Sequence, residues 1–252
     1  MSDWNPEKYL LFKEQRTQPA IDLANRVRDC GAKTIVDIGC GPGNSTAVLQ
    51  SVFPQTEIKG IDASESMIEK AKEKYTGLDF SVCRAEDLTG SYDLLFSNAC
   101  LQWIPDHETL IPALMQKLTA NGVLAVQMPM NQKEPLFQII KDVAADSKWN
   151  FENVYFEKND TLAPQAYFDI LSACSGRFEI WETVYYHAMP SHAQLIEWVR
   201  GTRLRPYLDV LDEKQKTEFE NEILTKVKSA YPFTASGEVI LKFRRFFFAA
   251  HK

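Results

Sequence analysis

The protein has 252 residues, a formal net charge of −6 and a pI near 5.4, with 45% hydrophobic and 25% charged residues. These proportions are typical of a globular chain, and the acidic balance argues against a nucleic-acid partner, which would require a basic face. We expect no membrane contact, because no apolar run reaches the roughly 18 residues of a spanning helix and no secretory signal pattern is present. The five cysteines form no C-x-x-C pair, which predicts free thiols in the reducing cytoplasm.

The first part of the chain predicts an N-terminal helical lid over residues 1–30. Pro19 interrupts the apolar positions between residues 3 and 29, so we expect two short helices there rather than one. Strands and helices then alternate, with strands at 34–38, 57–61, 79–83, 92–98 and 122–128. Helices are expected from residue 44, at 65–74 and at 107–118, the last one ended by Asn121-Gly122. This alternation predicts a parallel sheet with helices on both faces.

The second half of the chain has a different pattern. Helices are expected at 136–148 and 165–173, and two long strands at 178–189 and 239–249. The residues between these strands are mostly helical in pattern, at 192–200 and 212–230, whereas a hairpin would need only a short loop. We therefore predict an α/β fold with a Rossmann-like, doubly wound sheet, mostly parallel with an antiparallel last strand. The sheet domain would comprise residues 31–189 and 237–252, and residues 190–236 would form a helical cap over a substrate site.

The stretch VDIGCGPGNST, residues 36–46, lies between the first strand and the next helix. Backbone N–H groups and a helix N-terminus make such a loop a site for a polar ligand. The glycines are Gly39, Gly41 and Gly43, and Asn44 occupies the position where a dinucleotide-binding loop carries its third glycine. A phosphate-binding P-loop is excluded because no Gly-Lys-Ser/Thr follows. Asn44 or Ser45 is expected to cap the helix.

Two aspartates indicate the kind of ligand. Asp37, at the end of the first strand, would repel a pyrophosphate but would accept a hydrogen bond from an ammonium group. Asp62, about 20 residues on and at the tip of the second strand, is placed to bind two ribose hydroxyls. A nucleoside with an amino-acid end and no phosphate meets both conditions, and S-adenosylmethionine is such a molecule.

The segments VDIGCGPGNST, GIDASESMI, YDLLFSNACLQW and NGVLAVQMP together resemble the class I S-adenosylmethionine-dependent methyltransferases. The resemblance implies that Asp37, Gly39 and Gly41 line the methionine part of the cofactor, and that Asn44 also binds the cofactor. It implies further that Asp62 binds the ribose, while Asn98 and Leu101 border the sulfonium. For the adenine it implies contacts from Ala63 or Met67, with Ala85 and Glu86 close by.

One position departs from that family. Arg84 stands where many members carry an acid for the adenine amino group, and an arginine cannot accept a hydrogen bond. A backbone carbonyl, Glu86 or Asp87 would have to take that role.

The segments SDWNPEKYLLFKEQRTQPA, NACLQWIPDH, YYHAMPSH and RLRPYL resemble, within that superfamily, the trans-aconitate methyltransferase family. This resemblance implies a small-molecule tricarboxylate substrate, one carboxylate of which is methylated. A carboxylate is already ionised at neutral pH, since its pKa is about 4, so it needs no general base. We therefore predict no catalytic residue, and expect the protein to act by positioning and desolvation.

The other carboxylates of such a substrate require cations, and arginine binds a carboxylate with two parallel hydrogen bonds. Arg200, Arg203 and Arg205 crowd one stretch of the cap without obvious balancing acids, although any single one could be a solvated surface charge. The predicted substrate residues are Tyr9, Arg16, Trp103, His187, Arg203 and Arg205. Tyr9, Trp103 and His187 could equally be packing residues.

Several alternatives remain open at this point. The roles of Arg244 and Arg245 are undecided, because the KFRRFFFAAHK tail differs from that of the family. No metal site is expected, since the histidines lack ligand spacing. A methyltransferase for another small acid or a neutral metabolite, and a cofactor-binding regulator without activity, are competing functions. An NAD dehydrogenase is a third, and Asn44 argues against it. No oligomeric state is predicted.

Overall fold

The computed structural model describes residues 13–154 and 161–252, and leaves the side chains of residues 13–16 and 153 outside the description. Within these residues, seven strands form one sheet in the order β3-β2-β1-β4-β5-β7-β6. The pairs β1/β2, β2/β3, β1/β4 and β4/β5 are parallel, whereas β5/β7 is antiparallel. The predicted mostly parallel sheet with an antiparallel last strand is therefore confirmed.

The elements alternate through the first half as predicted. The strands are β1 (Thr34–Ile38), β2 (Glu57–Asp62), β3 (Asp79–Val82), β4 (Tyr92–Asn98), β5 (Leu118–Pro129), β6 (Arg177–Met189) and β7 (Val239–His251). The helices are α1 (Lys13–Arg26), α2 (Asn44–Val52), α3 (Glu65–Lys74), α4 (His107–Gln116), α5 (Pro135–Ala144), α6 (Pro164–Cys174), α7 (His192–Arg200), α8 (Arg205–Leu208) and α9 (Glu213–Ala230). Short 3₁₀ turns lie at Leu101–Trp103, Ser147–Trp149 and Phe151–Asn153.

Pro19 does not divide the first helix, so the prediction of two short helices separated there is wrong. Helix α1 runs through it from Lys13 to Arg26 and buries Ala20, Leu23 and Ala24 completely or nearly so. A proline inside a helix costs about 3 kcal/mol, but a helix in a protein is stabilised mainly by packing of its apolar face. Here that face packs on α2 and β5.

The prediction that Asn121-Gly122 ends a helix is also wrong. Helix α4 ends at Gln116, and the pair lies inside β5. The pairing with β4 jumps from Tyr92↔Leu118 to Leu94↔Val123, so the strand carries a bulge at this point. A Cβ on Gly122 would lie 2.8 Å from the Leu118 Cβ, which explains why the bulge contains a glycine.

The chain divides into two compact units. The first comprises residues 1–129, 159–183 and 245–252, and the second comprises residues 130–158 and 184–244. The second unit is thus larger than the predicted cap at 190–236, because it also takes in the segment around α5 and the adjoining parts of β6 and β7. Of the predicted lid, residues 1–12 lie outside the described residues.

An aromatic cluster explains why residues 130–154 group with the second unit. Trp149 and Phe151 lie on the segment after α5, and their rings contact Phe219 of α9 with centroids 5.0 and 5.5 Å apart. The Tyr231 hydroxyl, just beyond α9, accepts from the Leu136 N–H and donates to Glu134 Oε1, both at 2.9 Å. These contacts join α5 to α9 and could not be predicted from local sequence patterns.

None of the described helices is both long and apolar enough to cross a membrane.

The capping box of α9 gives a stability prediction. The Asp212 carboxylate accepts from the Gln215 N–H at 2.8 Å, and the Gln215 side chain accepts from the Asp212 N–H at 3.0 Å. We expect Asp212→Ala to lower the free energy of unfolding by about 1 kcal/mol in urea titrations. Asp212→Asn keeps an acceptor and should stay close to wild type. Equal losses in both variants would contradict a capping role.

Candidate cofactor site

The glycine loop follows β1. In the sheet, β2 and β3 lie on one side of β1 and β4 lies on the other, so the order of strands reverses at this place. Ligands of open α/β sheets bind at such a switch point, beyond the carboxyl ends of the strands. The loop is anchored to β2, because the N–H groups of Gly39 and Cys40 donate to the Ile61 carbonyl at 2.8 and 2.9 Å. The Gly41 N–H donates to Asp62 Oδ2 at 2.9 Å.

Two of the glycines are required by position. Gly39 has a φ of +70°, and a Cβ there would lie 2.1 Å from the Cys100 Sγ, so only glycine fits between β1 and the segment after β4. Gly41 has a φ of +53°, and a Cβ there would meet nothing within 4 Å. Its open side leaves room for a ligand to approach the backbone.

A cavity of about 250 Å³ opens beside this loop. Its walls are residues 39–42, Asn44 and Ser45 of the loop and α2, Thr17 and Ala20 of α1, and Asn98 and Ala99 after β4. Four of the residues predicted to bind the cofactor therefore meet around one cavity, namely Gly39, Gly41, Asn44 and Asn98.

Asp37 lies behind the loop and is not part of the cavity wall. It is fully buried, and its Oδ2 accepts from the hydroxyls of Ser45 and Thr46 at 2.6 and 2.7 Å. Burial raises the pKa of Asp37 to about 6, with the nearby charge of Asp62 acting in the same direction and the two hydroxyls against it. Its Oδ1 has no hydrogen-bond partner among the described residues.

The expected helix cap is wrong at this place. Gly43, in the left-handed conformation, precedes α2 without a side-chain cap, because the Ser45 hydroxyl is bonded to Asp37. The Asn44 side chain accepts instead from Lys74 Nζ at 2.6 Å and from the Tyr75 hydroxyl at 3.1 Å.

Asp62, predicted to bind the ribose, shapes the loop. Its Oδ1 accepts from the Ser64 N–H at 2.8 Å, while its Oδ2 holds Gly41. Each oxygen keeps acceptor capacity for a further donor. Ala63 is exposed, as is Met67 at 37%, so both can contact a ligand from the end of β2.

Beyond the end of β3, Arg84 is paired with an acid. The Arg84 guanidinium is exposed and forms a 2.7 Å ion pair with Glu86 Oε1. Partial burial raises the pKa of Glu86, but the hydrogen bond and charge of Arg84 outweigh it and lower the pKa overall. Ala85 is buried between them. Arg84 therefore neutralises Glu86, one of the two acids predicted to accept from an adenine amino group.

The segment after β4 carries strain that the sequence did not reveal. Ala99 has a φ of +55°, a left-handed value that costs an alanine about 1–2 kcal/mol. Its N–H donates to the Gln127 carbonyl at 2.9 Å, which holds the conformation in place. Strained residues of this kind cluster at functional sites. Asn98, just before it, has a buried Oδ1 without a hydrogen-bond partner among the described residues.

A buried network supports the 3₁₀ turn that follows. His107 Nε2 bonds to the Leu101 carbonyl at 2.8 Å, and its Nδ1 bonds to the Tyr167 hydroxyl at 2.6 Å. The carbonyl can only accept, so the hydrogen is on Nε2 and the tyrosine donates to Nδ1. Leu101, predicted to border the sulfonium, is fully buried. Sequence reasoning missed His107 and Tyr167, because 60 residues separate them.

The predicted substrate residues are dispersed. Tyr9 lies outside the described residues, and so does the side chain of Arg16 on α1. Trp103, in the 3₁₀ turn, is 44% exposed. His187 belongs to the second unit and is buried among aromatic rings, with the Trp198 centroid 5.0 Å away.

The arginines of the second unit differ from one another. Arg200 is bound by Glu220 at 2.6 Å, and the exposed Arg205 lies 3.5 Å from Asp209, so the expectation that no acids balance them is wrong. Arg203 is partly buried over the Phe137 ring, at 5.7 Å from its centroid, and burial lowers the pKa of its guanidinium. Among the described residues, no group of three side chains could hold a metal ion.

Comparison with known proteins defines the family. A family model described as a methyltransferase domain matches residues 31–186. A trans-aconitate 2-methyltransferase of Methylobacterium radiotolerans is 40% identical, covering 100% of this chain and 99% of that protein. One from Escherichia coli is 41% identical with the same coverage. The chain therefore belongs to the trans-aconitate 2-methyltransferase family.

Solved structures share the fold at low identity. The YcgJ protein of Bacillus subtilis has a TM-score of 0.59 and 12% identity, covering 93% of this chain and 98% of that one. An O-methyltransferase of a Brevibacillus brevis multienzyme was solved with S-adenosyl-L-homocysteine. It has a TM-score of 0.55 and 13% identity, and the match covers 98% of this chain and 77% of the chain of that structure.

The raised pKa of Asp37 predicts a pH dependence. A folded-state pKa of about 6, against 3.8 for the free group, means that the folded protein holds this proton more tightly. This contribution to stability is present below pH 4 and is lost as the pH rises through 6. Asp37→Asn has no such titration. Between pH 4 and 7, the wild type should therefore lose about 3 kcal/mol in its free energy of unfolding relative to the variant.

Urea unfolding of both proteins without ligand, at several pH values in that range, measures this difference. Asp79→Asn, at an exposed aspartate of β3, is the matched control and should show a smaller change. A constant difference between wild type and Asp37→Asn across the range would mean that Asp37 is ionised at little cost.

Proposed function

We propose that the protein transfers a methyl group from S-adenosylmethionine to one carboxylate of trans-aconitate or of a closely related tricarboxylate. The observation that carries the proposal is identity of 40% and 41%, over the complete chain, to relatives named trans-aconitate 2-methyltransferase. The geometry of the glycine loop supports the cofactor independently of those names.

The unpartnered acceptors fit a cationic ligand. Asp37 Oδ1 and Asn98 Oδ1 are buried, and neither has a hydrogen-bond partner among the described residues. A buried polar atom without a partner costs free energy, so such atoms at a site indicate a missing donor. The α-ammonium group of S-adenosylmethionine is a donor of the required charge. Asp62 retains acceptor capacity for ribose hydroxyls, and the backbone near Arg84 for the adenine amino group.

When bound, S-adenosylmethionine supplies an electrophilic methyl group. The chain's own contribution is to orient the reactants and to exclude water. The Gly39–Cys100 contact and the strained Ala99 fix the wall of the cavity at the end of β4, so that wall is already formed. A carboxylate nucleophile is ionised at neutral pH, which agrees with a site whose part is positioning rather than proton transfer.

The free cysteines are consistent with a reducing compartment, and we place the protein in the bacterial cytoplasm.

Methyl transfer from labelled S-adenosylmethionine tests the function directly. We expect a base-labile methyl ester to form fastest on trans-aconitate, with cis-aconitate, isocitrate and citrate compared in parallel. Each acid should compete with the others, because the site recognises negative charge. If calorimetry shows cofactor binding but no acid is methylated, the cofactor site is supported and the proposed substrate is contradicted.

Arg203 is a predicted substrate residue that is partly buried, and we propose that it binds a carboxylate. Arg203→Gln should raise the KM for trans-aconitate about 10- to 100-fold, the range for loss of a charged hydrogen bond, and leave the Kd for S-adenosylmethionine unchanged. Arg205→Gln, measured beside it, should have the smaller effect, because Arg205 is exposed and paired with Asp209. Equal weakening of acid and cofactor binding by Arg203→Gln would contradict the assignment.

A further inference from the structure

The wall of the cavity at the end of β4 is built from a strained segment. Asn98 and Ala99 line the cavity, and Ala99 has the left-handed φ of +55° described above. The segment that begins at Ala99 ends at Asp106, whose φ of +57° is left-handed as well. An alanine in this conformation costs free energy that the surrounding structure has to offset. The contacts that hold this segment therefore determine the shape of the cavity wall.

Ala99 is held by the neighbouring strand and by one buried side chain. Its N–H donates to the Gln127 carbonyl of β5 at 2.9 Å. Its carbonyl accepts from Nε2 of Gln102 at 2.7 Å, and Gln102 is only 2% exposed. Gln102 is the middle residue of the 3₁₀ turn Leu101–Trp103. A shift of that turn would therefore move the Ala99 backbone through this hydrogen bond.

The turn is anchored to two helices by His107 and Tyr167. The Leu101 carbonyl accepts from the Ile104 N–H at 2.9 Å and from His107 Nε2 at 2.8 Å, so both of its lone pairs are used. The Tyr167 hydroxyl of α6 donates to His107 Nδ1 at 2.6 Å. Both side chains are completely or almost completely buried. A chain of hydrogen bonds thus leads from α6 through α4 and the turn to the wall of the cavity.

The tyrosine hydroxyl selects the imidazole tautomer that this chain of hydrogen bonds requires. The Leu101 carbonyl needs a hydrogen on Nε2, which leaves Nδ1 as an acceptor for the Tyr167 O–H. The same hydroxyl accepts from the Leu162 N–H at 3.1 Å. Met128 Sδ, 3.8 Å from it, is only a weak acceptor and does not compete with the imidazole nitrogen. Without the hydroxyl, the imidazole would lose the donor that holds its tautomer and orientation.

We propose that His107 and Tyr167 are positioning residues, which hold the cavity in its cofactor-binding shape through the 3₁₀ turn and Ala99. Neither side chain is part of the cavity wall, so both act through the backbone that is. All of these residues belong to the first unit. The inference rests on the proposed function, because it takes the ligand of the cavity to be S-adenosylmethionine. It adds that the affinity for this cofactor depends on two buried side chains behind the wall.

Calorimetric titration with S-adenosylhomocysteine tests the proposal. Tyr167→Phe removes the hydroxyl and keeps the ring, and it should raise the Kd about 3- to 10-fold, the range for loss of one neutral hydrogen bond. His107→Gln keeps an amide donor and an amide acceptor, so it should bind more tightly than His107→Ala. Leu171→Val is the matched control, because Leu171 is fully buried on the same helix as Tyr167. It should lower the melting temperature and bind like wild type.

A double-mutant cycle with Ala99→Gly separates positioning from a contribution to stability alone. A glycine adopts a φ of +55° without strain, so this backbone conformation would then depend less on the turn. Tyr167→Phe should therefore raise the Kd by a smaller factor in the Ala99→Gly background than in the wild-type background. The same factor in both backgrounds would overturn the proposal. If Tyr167→Phe does not fold, the same comparison with His107→Gln decides.

The same titrations distinguish failure of this inference from failure of the proposed function. A wild-type protein that binds S-adenosylhomocysteine but methylates none of the acids overturns the proposed substrate, while the Kd of Tyr167→Phe still decides the inference. Tight binding by wild type that Tyr167→Phe leaves unchanged overturns the inference and leaves the function in place. A wild-type protein that does not bind S-adenosylhomocysteine overturns both.

Discussion

The glycine loop depends on the buried carboxylate of Asp37. By accepting from Ser45 and Thr46 it ties the end of β1 to the first turn of α2, and so determines the path of the glycine loop between them. Helix α2 needs this support, because Gly43 provides no side-chain cap. The charge is expensive to bury, as its raised pKa shows, and its second oxygen remains available for a donor. One buried side chain thus joins the strand, the loop and the helix.

Asp62 repeats this arrangement on the next strand. It holds Gly41 through its carboxylate while keeping capacity for further donors. The two aspartates explain why the loop can be shaped before any ligand arrives, and preorganisation of this kind reduces the ordering cost of binding. His107 and Tyr167 support the turn after β4 through buried hydrogen bonds.

Much of the fold could be predicted from the sequence, because strand and helix patterns are local. Helices α3 and α7 and strand β4 have the predicted bounds, and the glycine loop lies where its spacing indicated. The failures have a common physical cause, which is contact between distant residues. Packing on α2 and β5 keeps α1 intact at Pro19, and a bulge against β4 places Asn121-Gly122 inside a strand.

The site shows the same division between local and distant information. The glycines and aspartates at the ends of β1 and β2 could be predicted from their spacing in the sequence. The strained Ala99 could not, because its conformation depends on a hydrogen bond to β5, and the His107–Tyr167 pair depends on α6. Counting charges along the chain was misleading for Arg200, because its partner Glu220 is supplied by another helix.

The place of β7 in the sheet constrains the order of assembly. It is the latest strand in the chain, yet it lies between β5 and β6, both of which are synthesised before it. Until β7 inserts, both neighbours present unpaired backbone edges, and such edges favour association with other chains. This side of the sheet is therefore completed last during synthesis.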